Sequence, residues 1–401
     1  MLKRVFKAFQ YRNFSLLWGG ACMSSIGTWM QIVAQSWLVL EISKSPFLLG
    51  LDAFLAQIPI LLFSLVGGVV ADRMDRRRLL LASQYIQMSC AFILAFLIYR
   101  HSVQIWHVLI LSFVTGSAQS FGGPAYQALV PSLVSREDLP NAIALNSIQF
   151  NLARVIGPVL GGLAFEKLGP AWCFGLNGLS FCAVIVSLLL LRIDFKPVPT
   201  GVSMLNSMRE GFGFIKNQGA MAGLIILAFC MTGLAIPLIT FLPVFAKSIF
   251  KSGPETYTIL LAASGVGSVA GALVVAALGQ IRKKGQAALL ALICLGVAMA
   301  VFSFSRSVPV SAVFLFFSGA ALVGGFAMIS SLVQLITANE MRGRVMSVYN
   351  VAFRGGMPIG SLVSGWLIPI FSAPSVIAAN GVLLICLGAY FLVFQRRVAA
   401  L

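Results

Sequence analysis

The feature that most constrains this chain is a series of long apolar runs, each close to or above the roughly 20 residues that a helix needs to cross a bilayer. The runs lack the alternation over about 10 residues that marks the strands of a membrane barrel. Short segments with charged residues, proline or glycine separate twelve of them, at 14–40, 47–71, 79–99, 104–130, 141–165, 170–191, 219–246, 256–281, 286–305, 308–336, 345–371 and 375–395. We therefore predict an all-α polytopic membrane protein with twelve transmembrane helices.

Composition supports a membrane location. Apolar residues make up 59% of the 401 residues and charged residues only 10%, whereas a soluble domain carries roughly 25% charged residues. Intrinsic disorder and a disulfide-stapled secreted module are excluded on the same ground. The seven cysteines lie in or beside apolar runs without metal-binding spacing, so we predict no metal site and no cofactor.

Lys and Arg predict the orientation. Of the 28 such residues, 20 fall in segments that share one side of the membrane, 6 fall on the other side, and 2 lie inside spans. The positive-inside rule therefore places both termini in the cytoplasm. The net charge of +17 is explained by this bias, and nucleic acid is not a predicted partner.

The chain divides into two similar halves. The longest polar stretch separates six spans from six, which predicts an N-terminal bundle at 1–191, a cytoplasmic central loop at 192–218 and a C-terminal bundle at 219–401. An arginine stands four residues before a proline in spans 5 and 11, and each proline lies within a GxxxG pair. Such small residues let helices pack closely, and proline bends them. The predicted packing seam consists of Gly157, Pro158 and Gly161, and of Gly356, Pro358 and Gly360.

The loop between spans 2 and 3 reads GGVVADRMDRRRLLL. It resembles motif A of the major facilitator superfamily, and the matching residues are Gly68, Asp72, Arg73, Arg76 and Arg77. Asp75 replaces the second glycine of the motif, and aspartate also tolerates a turn.

The motif resemblance implies a role for its aspartate. Asp72 would lie near the start of the eleventh helix, at the backbone of Arg344 to Met346, and help to hold the outward-facing state. Arg76 or Arg77 would add charge pairing. The alternative is that these arginines only anchor the loop on the inner side.

Further segments, among them YRNFSLLWGG, VPSLV, GPVLGG and MRGRVMSVYN, are similar to the drug:proton antiporter-3 branch of the superfamily, which holds enterobactin-type siderophore exporters and macrolide efflux pumps. The resemblance implies two pseudo-symmetric six-helix bundles, a bacterial inner membrane and export driven by the proton gradient. The chain has no P-loop pattern, which excludes a built-in ATPase. We expect a monomer.

Charged residues inside apolar spans are costly and are treated as candidate functional sites. Asp52, near the outer end of span 2, either carries the proton or is a shallow carboxylate that reaches interfacial water or pairs with Lys44. Arg154 and Arg354 cannot carry protons because arginine stays charged. They either brace and gate helices or bind an anionic substrate.

Neutral polar and aromatic side chains complete the candidate site. Gln31 and Gln35 share one helix face. The amides either line a cavity or bond helices together, at about 0.6 kcal/mol each; they are Gln31, Gln35, Gln57, Asn146, Gln149, Gln334 and Asn350. The aromatic residues either stack on a ring-bearing substrate or face lipid and the interface; they are Trp18, Trp29, Trp37, Phe150 and Phe353.

These features predict a secondary transporter that exports a small amphipathic molecule, such as a siderophore, drug or metabolite, by alternating access and proton antiport. Its predicted partners are the substrate, the proton and the lipid bilayer. A lipid transporter of the same fold is the alternative. A membrane enzyme or receptor is a more distant one, since no paired acids, HExxH or Ser/His/Asp set was found in the sequence.

Overall fold

The computed structural model describes residues 6–191, 210, 212–216, 218–278 and 283–401, with the backbone alone at 65, 69, 71–73 and 278. Twelve long α-helices run through this part of the chain. They are α1 (Arg12–Ser43), α2 (Pro46–Arg73), α3 (Arg76–Tyr99), α4 (Ile105–Leu129), α5 (Leu139–Leu168), α6 (Pro170–Leu190), α7 (Gly219–Thr240), α8 (Pro254–Leu278), α9 (Lys284–Phe304), α10 (Val308–Ile336), α11 (Arg342–Phe371) and α12 (Ala373–Val393). The predicted twelve-helix architecture is confirmed.

One predicted span is less regular than expected. The run 219–246 was expected to form a single helix, but α7 ends at Thr240 and is followed by a short turn, Leu242–Val244, and a π-helical turn, Phe245–Ile249. Pro243 has no backbone N–H and cannot continue the hydrogen-bond ladder of α7. The helix therefore breaks just before it.

The helices differ in polarity. Among the described residues, nine helices are long and apolar enough to cross a membrane. The other three, α1, α4 and α11, have the same length but carry more Gly, Ser, Thr, Gln and Arg. Polar residues in long membrane helices face protein or a water-filled cavity rather than lipid, so these three helices are where a functional site is to be sought.

The contacts group the chain into two compact units. The first unit contains α1, α2 from Leu55 onwards, and α3 to α6. Within it, α1 packs on α5 and α6, and α3 packs on α4 and α6. The second unit contains α7 to α12 and also the segment Lys44–Phe54, which includes the beginning of α2. There α7 packs on α11, α8 on α10, and α9 on α10 and α12.

The links between helices repeat in the two halves. Lys44 before α2 and Lys251 before α8 both adopt φ 52°. Gly169 before α6 has φ 89° and ψ 168°, and Ser372 before α12 has φ 77° and ψ 153°. The last two conformations are almost confined to glycine, so Ser372 is strained where Gly169 is not. Matching backbone conformations at matching links agree with an internal duplication.

Candidate functional site

The loop that resembles motif A begins α3 with an N-cap. The backbone of Asp72 and Arg73 completes α2, while their side chains lie outside the described residues. Asp75 has φ −60° and ψ 111°, and its carboxylate accepts hydrogen bonds from the N–H groups of Arg77 (2.9 Å) and Arg78 (3.4 Å). The φ of Asp75 is negative, so glycine is not required. Aspartate is a favourable N-cap, which explains the departure from the motif.

Arg76 and Arg77 are bound to the ends of other helices in the first unit. Arg76 donates from Nη1 to Ala128 O near the end of α4 at 2.9 Å, and Arg77 donates from Nη2 to Leu189 O near the end of α6 at 2.7 Å. Carbonyls in the last turn of a helix lack intrahelical partners, and a cation there is also attracted to the negative end of the helix dipole. The two arginines therefore join the start of α3 to the ends of α4 and α6.

The start of α11 is the region that the motif resemblance assigns to Asp72. There Arg344 forms an ion pair with Glu210, at the end of the polar central stretch. A guanidinium nitrogen of Arg344 also lies 3.3 Å from Met341 Sδ. The placement of Asp72 at this helix start stays a prediction.

Arg154 is half-buried and lies against aromatic surface. Its Cζ is 5.7 Å from the ring centroid of Trp29 on α1, and Trp29 contacts Phe150 edge to face at 6.3 Å. One turn earlier in α5, Gln149 Nε2 donates to Ala21 O (3.1 Å) and to Ser25 Oγ (2.6 Å). Two contacts therefore hold α5 against α1: the Arg154 cation over the Trp29 indole, and the Gln149 amide bonded to the α1 backbone.

The predicted face of Gln31 and Gln35 forms an amide chain across three helices. Gln31 Nε2 donates to Gln35 Oε1 (3.3 Å), and Gln35 Nε2 donates to Ser112 Oγ on α4 (2.8 Å). Asn177 Nδ2 on α6 donates to Gln31 Oε1 at 2.6 Å. Asn177 completes a network that joins α1, α4 and α6, and such networks stiffen a bundle when all members are bonded.

The remaining amides are divided between bonded and exposed positions. Asn146 Oδ1 accepts from Tyr126 Oη at 3.2 Å, which ties α5 to α4. Gln57 and Asn350 are exposed. Arg354 is exposed as well, and it has no hydrogen bond or ion pair with any residue that the structure describes. Arg154 and Arg354 are equivalent in sequence but differ in surroundings.

The two predicted packing seams contact equivalent helices. In the first unit, Gly161 lies against α1, where an added Cβ would be 3.0 Å from Met30 Cα. In the second unit, Gly360 lies directly on the backbone of Gly233 in α7. All three residues of the first seam are buried, as are Gly356 and Pro358 in the second. The second seam is the closer one, because a Cβ added at Gly360 would lie nearer to the Gly233 backbone than one added at Gly161 lies to the Met30 backbone.

Asp52 is the one buried carboxylate inside the long helices among side chains that the structure describes, with 6% of its surface exposed. It belongs to the part of α2 that packs in the second unit. Two residues earlier, Gly50 approaches α11 so closely that an added Cβ would be 2.5 Å from Ser361 O. This close approach places Asp52 beside a tightly packed contact.

The candidate aromatic residues lie in different environments. Trp18 donates from Nε1 to Leu145 O at 3.0 Å and therefore acts as a helix contact. Trp37 is buried, whereas Phe150 is 54% exposed. Phe353 packs on Phe326 with ring centroids 4.2 Å apart. Phe353 and Phe326 belong to an aromatic cluster that Tyr349 completes, and Trp18 belongs to another, with Phe9 at 4.9 Å.

Sequence reasoning missed Asp138, which holds the N-terminal turn Lys7–Gln10 in what we call the N-terminal clasp. Asp138 forms an ion pair with Lys7 at 2.7 Å and accepts from Tyr11 Oη (2.9 Å) and Gln10 Nε2 (3.1 Å). Asn141 accepts from Ala8 N at 2.8 Å. The sequence signal that could have identified Asp138 is its place directly before the Leu-Pro start of α5, because aspartate is common at the N-cap position of helices.

The clasp shifts the pKa values of both of its ionisable groups, Asp138 and Lys7, in the directions expected for an ion pair. Hydrogen bonding and proximity to Lys7 hold the pKa of the Asp138 carboxyl below its usual value. The same partner raises the pKa of the Lys7 amino group. Each group favours the charged form of the other.

The chain was compared with known families and proteins. The profile of a family described as transmembrane secretion effectors matches residues 4–400. The multidrug efflux pump Tap of Mycolicibacterium fortuitum is 28% identical over 357 residues, which cover 86% of each chain. The enterobactin exporter EntS of Shigella boydii is 27% identical over 361 residues, 87% of this chain and 84% of that protein.

A solved structure has the same fold. The crystal structure of a bacterial homologue of the human lysosomal transporter Spinster, in an inward-facing and unoccupied conformation, superposes with a TM-score of 0.76. The alignment covers 96% of this chain and 97% of the other at 13% identity. At that identity the likeness shows the fold alone, and it confirms the architecture predicted from the sequence.

Proposed function

This chain belongs to the transmembrane secretion effector family of the major facilitator superfamily, and we propose that it exports a small amphipathic anion in exchange for protons. Family membership makes it a multi-pass membrane transporter, so the predicted transport class is confirmed over an enzyme. The substrate, the coupling ion and the orientation are our proposals.

The observation that carries the substrate proposal is Arg354. It is exposed on α11 and has no ionic or hydrogen-bonding partner within the described part of the chain. A cation that is retained in a membrane span without a partner in the protein is suited to a charged ligand. Arg154, by contrast, is engaged with Trp29, and we assign it to bracing.

The proposed proton carrier is Asp52, because it is a buried carboxylate in a long helix. A carboxylate in such surroundings can change its protonation state when its access to water changes. The bias of 20 inner against 6 outer basic residues supports cytoplasmic termini, and the bacterial relatives support the inner membrane. We propose that one chain forms the transport unit.

The proposal is tested by transport into inside-out vesicles with an imposed proton gradient. The panel contains enterobactin, a macrolide and a lysophospholipid, chosen from the relatives and from the lipid alternative. We expect enterobactin to accumulate, and Arg354→Gln to lower its rate at least tenfold while sparing any macrolide transport. Accumulation of lysophospholipid alone would favour the lipid alternative.

Coupling is tested in the same vesicles. A protonophore should abolish accumulation, and Asp52→Asn should remove the response to the gradient while leaving substrate exchange intact. Glu166→Gln, an exposed carboxylate at the end of α5, is the matched control and should behave like the unmodified protein. Accumulation that persists after the gradient is collapsed would show that protons do not drive transport.

A further inference from the structure

A cleft of about 380 Å³ lies in the second unit, where the C-terminal half of α10 meets the start of α11. One face of α10 forms most of it, and Phe326, Ser330 and Gln334 lie on successive turns of that face. Arg342, the first residue of α11, forms the opposite side. The volume is at the small end of the range for ligand sites, roughly 300–1,000 Å³.

One end of the cleft is aromatic. Phe326 lines it and packs against Phe353 with ring centroids 4.2 Å apart at an interplanar angle of 38°. Tyr349 lies 6.3 Å from Phe326, with the two rings stacked at 26°. A flat ring entering the cleft would extend this cluster, since aromatic groups gain by offset or tilted packing at such distances.

Behind the lining residue Phe326 lies a buried hydroxyl that lacks a partner, that of Tyr349. Tyr349 is 1% exposed, and its Oη has no hydrogen-bond partner among the described residues. Ser330, which lines the cleft, interacts with this hydroxyl and itself accepts from Gln334 Nε2 at 3.4 Å. A buried hydroxyl without a partner is unfavourable, and a ligand oxygen at Ser330 would let both hydroxyls donate in sequence.

The opposite side of the cleft is cationic. The Arg342 side chain is exposed and forms no ion pair with the residues that the structure describes. Its neighbour Arg344 is already paired with Glu210. Arg342 also stands at the first turn of a 30-residue helix, where unpaired N–H groups and the helix dipole favour an anion.

We propose that this cleft binds a planar aromatic anion, with its ring on Phe326 and its acidic group between Ser330 and Arg342. The inference rests on the proposed export function and specifies the substrate further, as a ring that bears a carboxylate or a similar acid. By the predicted topology the cleft is at the cytoplasmic ends of α10 and α11, where an exporter first meets its substrate.

The test is binding of 2-naphthoate to the full chain in nanodiscs, measured by equilibrium dialysis with empty nanodiscs subtracted. The neutral analogue 2-naphthylmethanol and the cation 2-naphthylmethylammonium have nearly the same shape. We expect naphthoate to bind at least tenfold more tightly than either analogue. Arg342→Gln should remove that preference, and Tyr349→Phe should weaken naphthoate several-fold.

Arg396→Gln, another exposed basic residue after α12, is the matched control and should leave binding unchanged. Equal affinities for the three probes, or naphthoate binding that is insensitive to Arg342→Gln, would overturn the proposal. Export in vesicles separates the two proposals. If Arg342→Gln exports normally and binds naphthoate normally, the cleft is not a site although the transporter stands. If the unmodified chain binds naphthoate but exports nothing, the export function fails and the cleft remains.

Discussion

α5 and α11 occupy equivalent places in the two units, yet only α5 uses its arginine in the contact with its neighbour. α5 is held to α1 by Gly161 and by side chains, through Gln149 on the α1 backbone and Arg154 over Trp29. α11 is held to α7 by Gly360 on Gly233 and by a hydrogen bond between Ser361 and Thr240 at 3.2 Å. The contacts of α5 occupy its arginine, whereas those of α11 leave Arg354 exposed.

This difference shows how a duplicated pattern can acquire two roles. Close packing through glycine holds a helix without using its polar side chains, so a charge on that helix remains available for a ligand. When an arginine takes part in the packing, its charge is committed to structure. Substitutions in α5 and α11 test whether the two helices are held as the contacts indicate.

The largest effect is expected from Gly360→Ala, because the added methyl group would overlap the backbone of Gly233. Overpacking of this kind costs typically 1–3 kcal/mol, and we expect about 3 kcal/mol here, seen as a lower thermal unfolding midpoint in detergent. Gly161→Ala, which meets Met30 atoms at 3.0 Å, should cost less. Gly343→Ala has nothing within 4 Å and should leave the midpoint unchanged.

A smaller effect should separate the two arginines. Arg154→Gln loses the contact with Trp29, and a partly buried cation–π contact contributes about 1 kcal/mol. Arg354→Gln should leave stability within about 0.5 kcal/mol, as is usual for exposed positions. Thermal unfolding of both variants provides the measurement. Equal destabilisation would mean that α5 and α11 are braced alike.

The amide network of the first unit should contribute less still. Gln31→Met keeps the shape of the side chain but removes its hydrogen bonds to Gln35 and Asn177. Interhelical hydrogen bonds in membranes average about 0.6 kcal/mol, and we expect a loss of that size. Gln334→Met, at an exposed position in the second unit, is the control. A larger loss in the control would contradict the assigned difference between the units.

The smallest effect concerns pH, and it should be confined to the first unit. The pKa of Asp138 is lowered, so its stabilisation is complete above the ordinary Asp pKa and is lost as pH falls through the lowered value. The pKa of Lys7 is raised, so its stabilisation is complete below the ordinary Lys pKa and is lost at more alkaline pH.

The clasp should therefore hold between about pH 5 and 10 and loosen outside that window. Exchange of the Ala8 amide hydrogen, which is bonded to Asn141, measures this opening when it is corrected for the intrinsic effect of pH. Asp138→Asn should exchange faster at neutral pH and lose the acid dependence. Unchanged exchange in that variant would show that other contacts hold the turn.

Much of the fold follows from the sequence. The length and hydropathy of the apolar runs are sufficient to predict the twelve helices. In lipid, the backbone N–H and C=O groups of a span must be hydrogen-bonded within the span, and a helix achieves this. The four-residue spacing of Gln31 and Gln35 also placed them on one face. Their partner Asn177 could not be predicted, since it is 146 residues from Gln31 and helix packing alone brings them together.

The candidate site was less predictable. Arg154 and Arg354 occur in the same local sequence pattern, which does not show what the neighbouring helix places against each of them. Trp29 of α1 lies against Arg154, whereas Gly233 of α7 lies against the glycines that follow Arg354. The motif departure at Asp75 was visible, but its capping of α3 depends on backbone angles. Proline alone does not predict the break before Pro243, because Pro237 and Pro358 lie inside continuous helices.

The N-terminal clasp has a consequence for the order of synthesis. Ala8 binds Asn141, which is 133 residues later in the chain, so the clasp forms only after α5 has left the ribosome and inserted. Until then the first turn contacts α1 alone, through Phe9 on Trp18. A bulky fusion placed directly before Lys7 would compete with the closing of the clasp, whereas one placed after α12 would not.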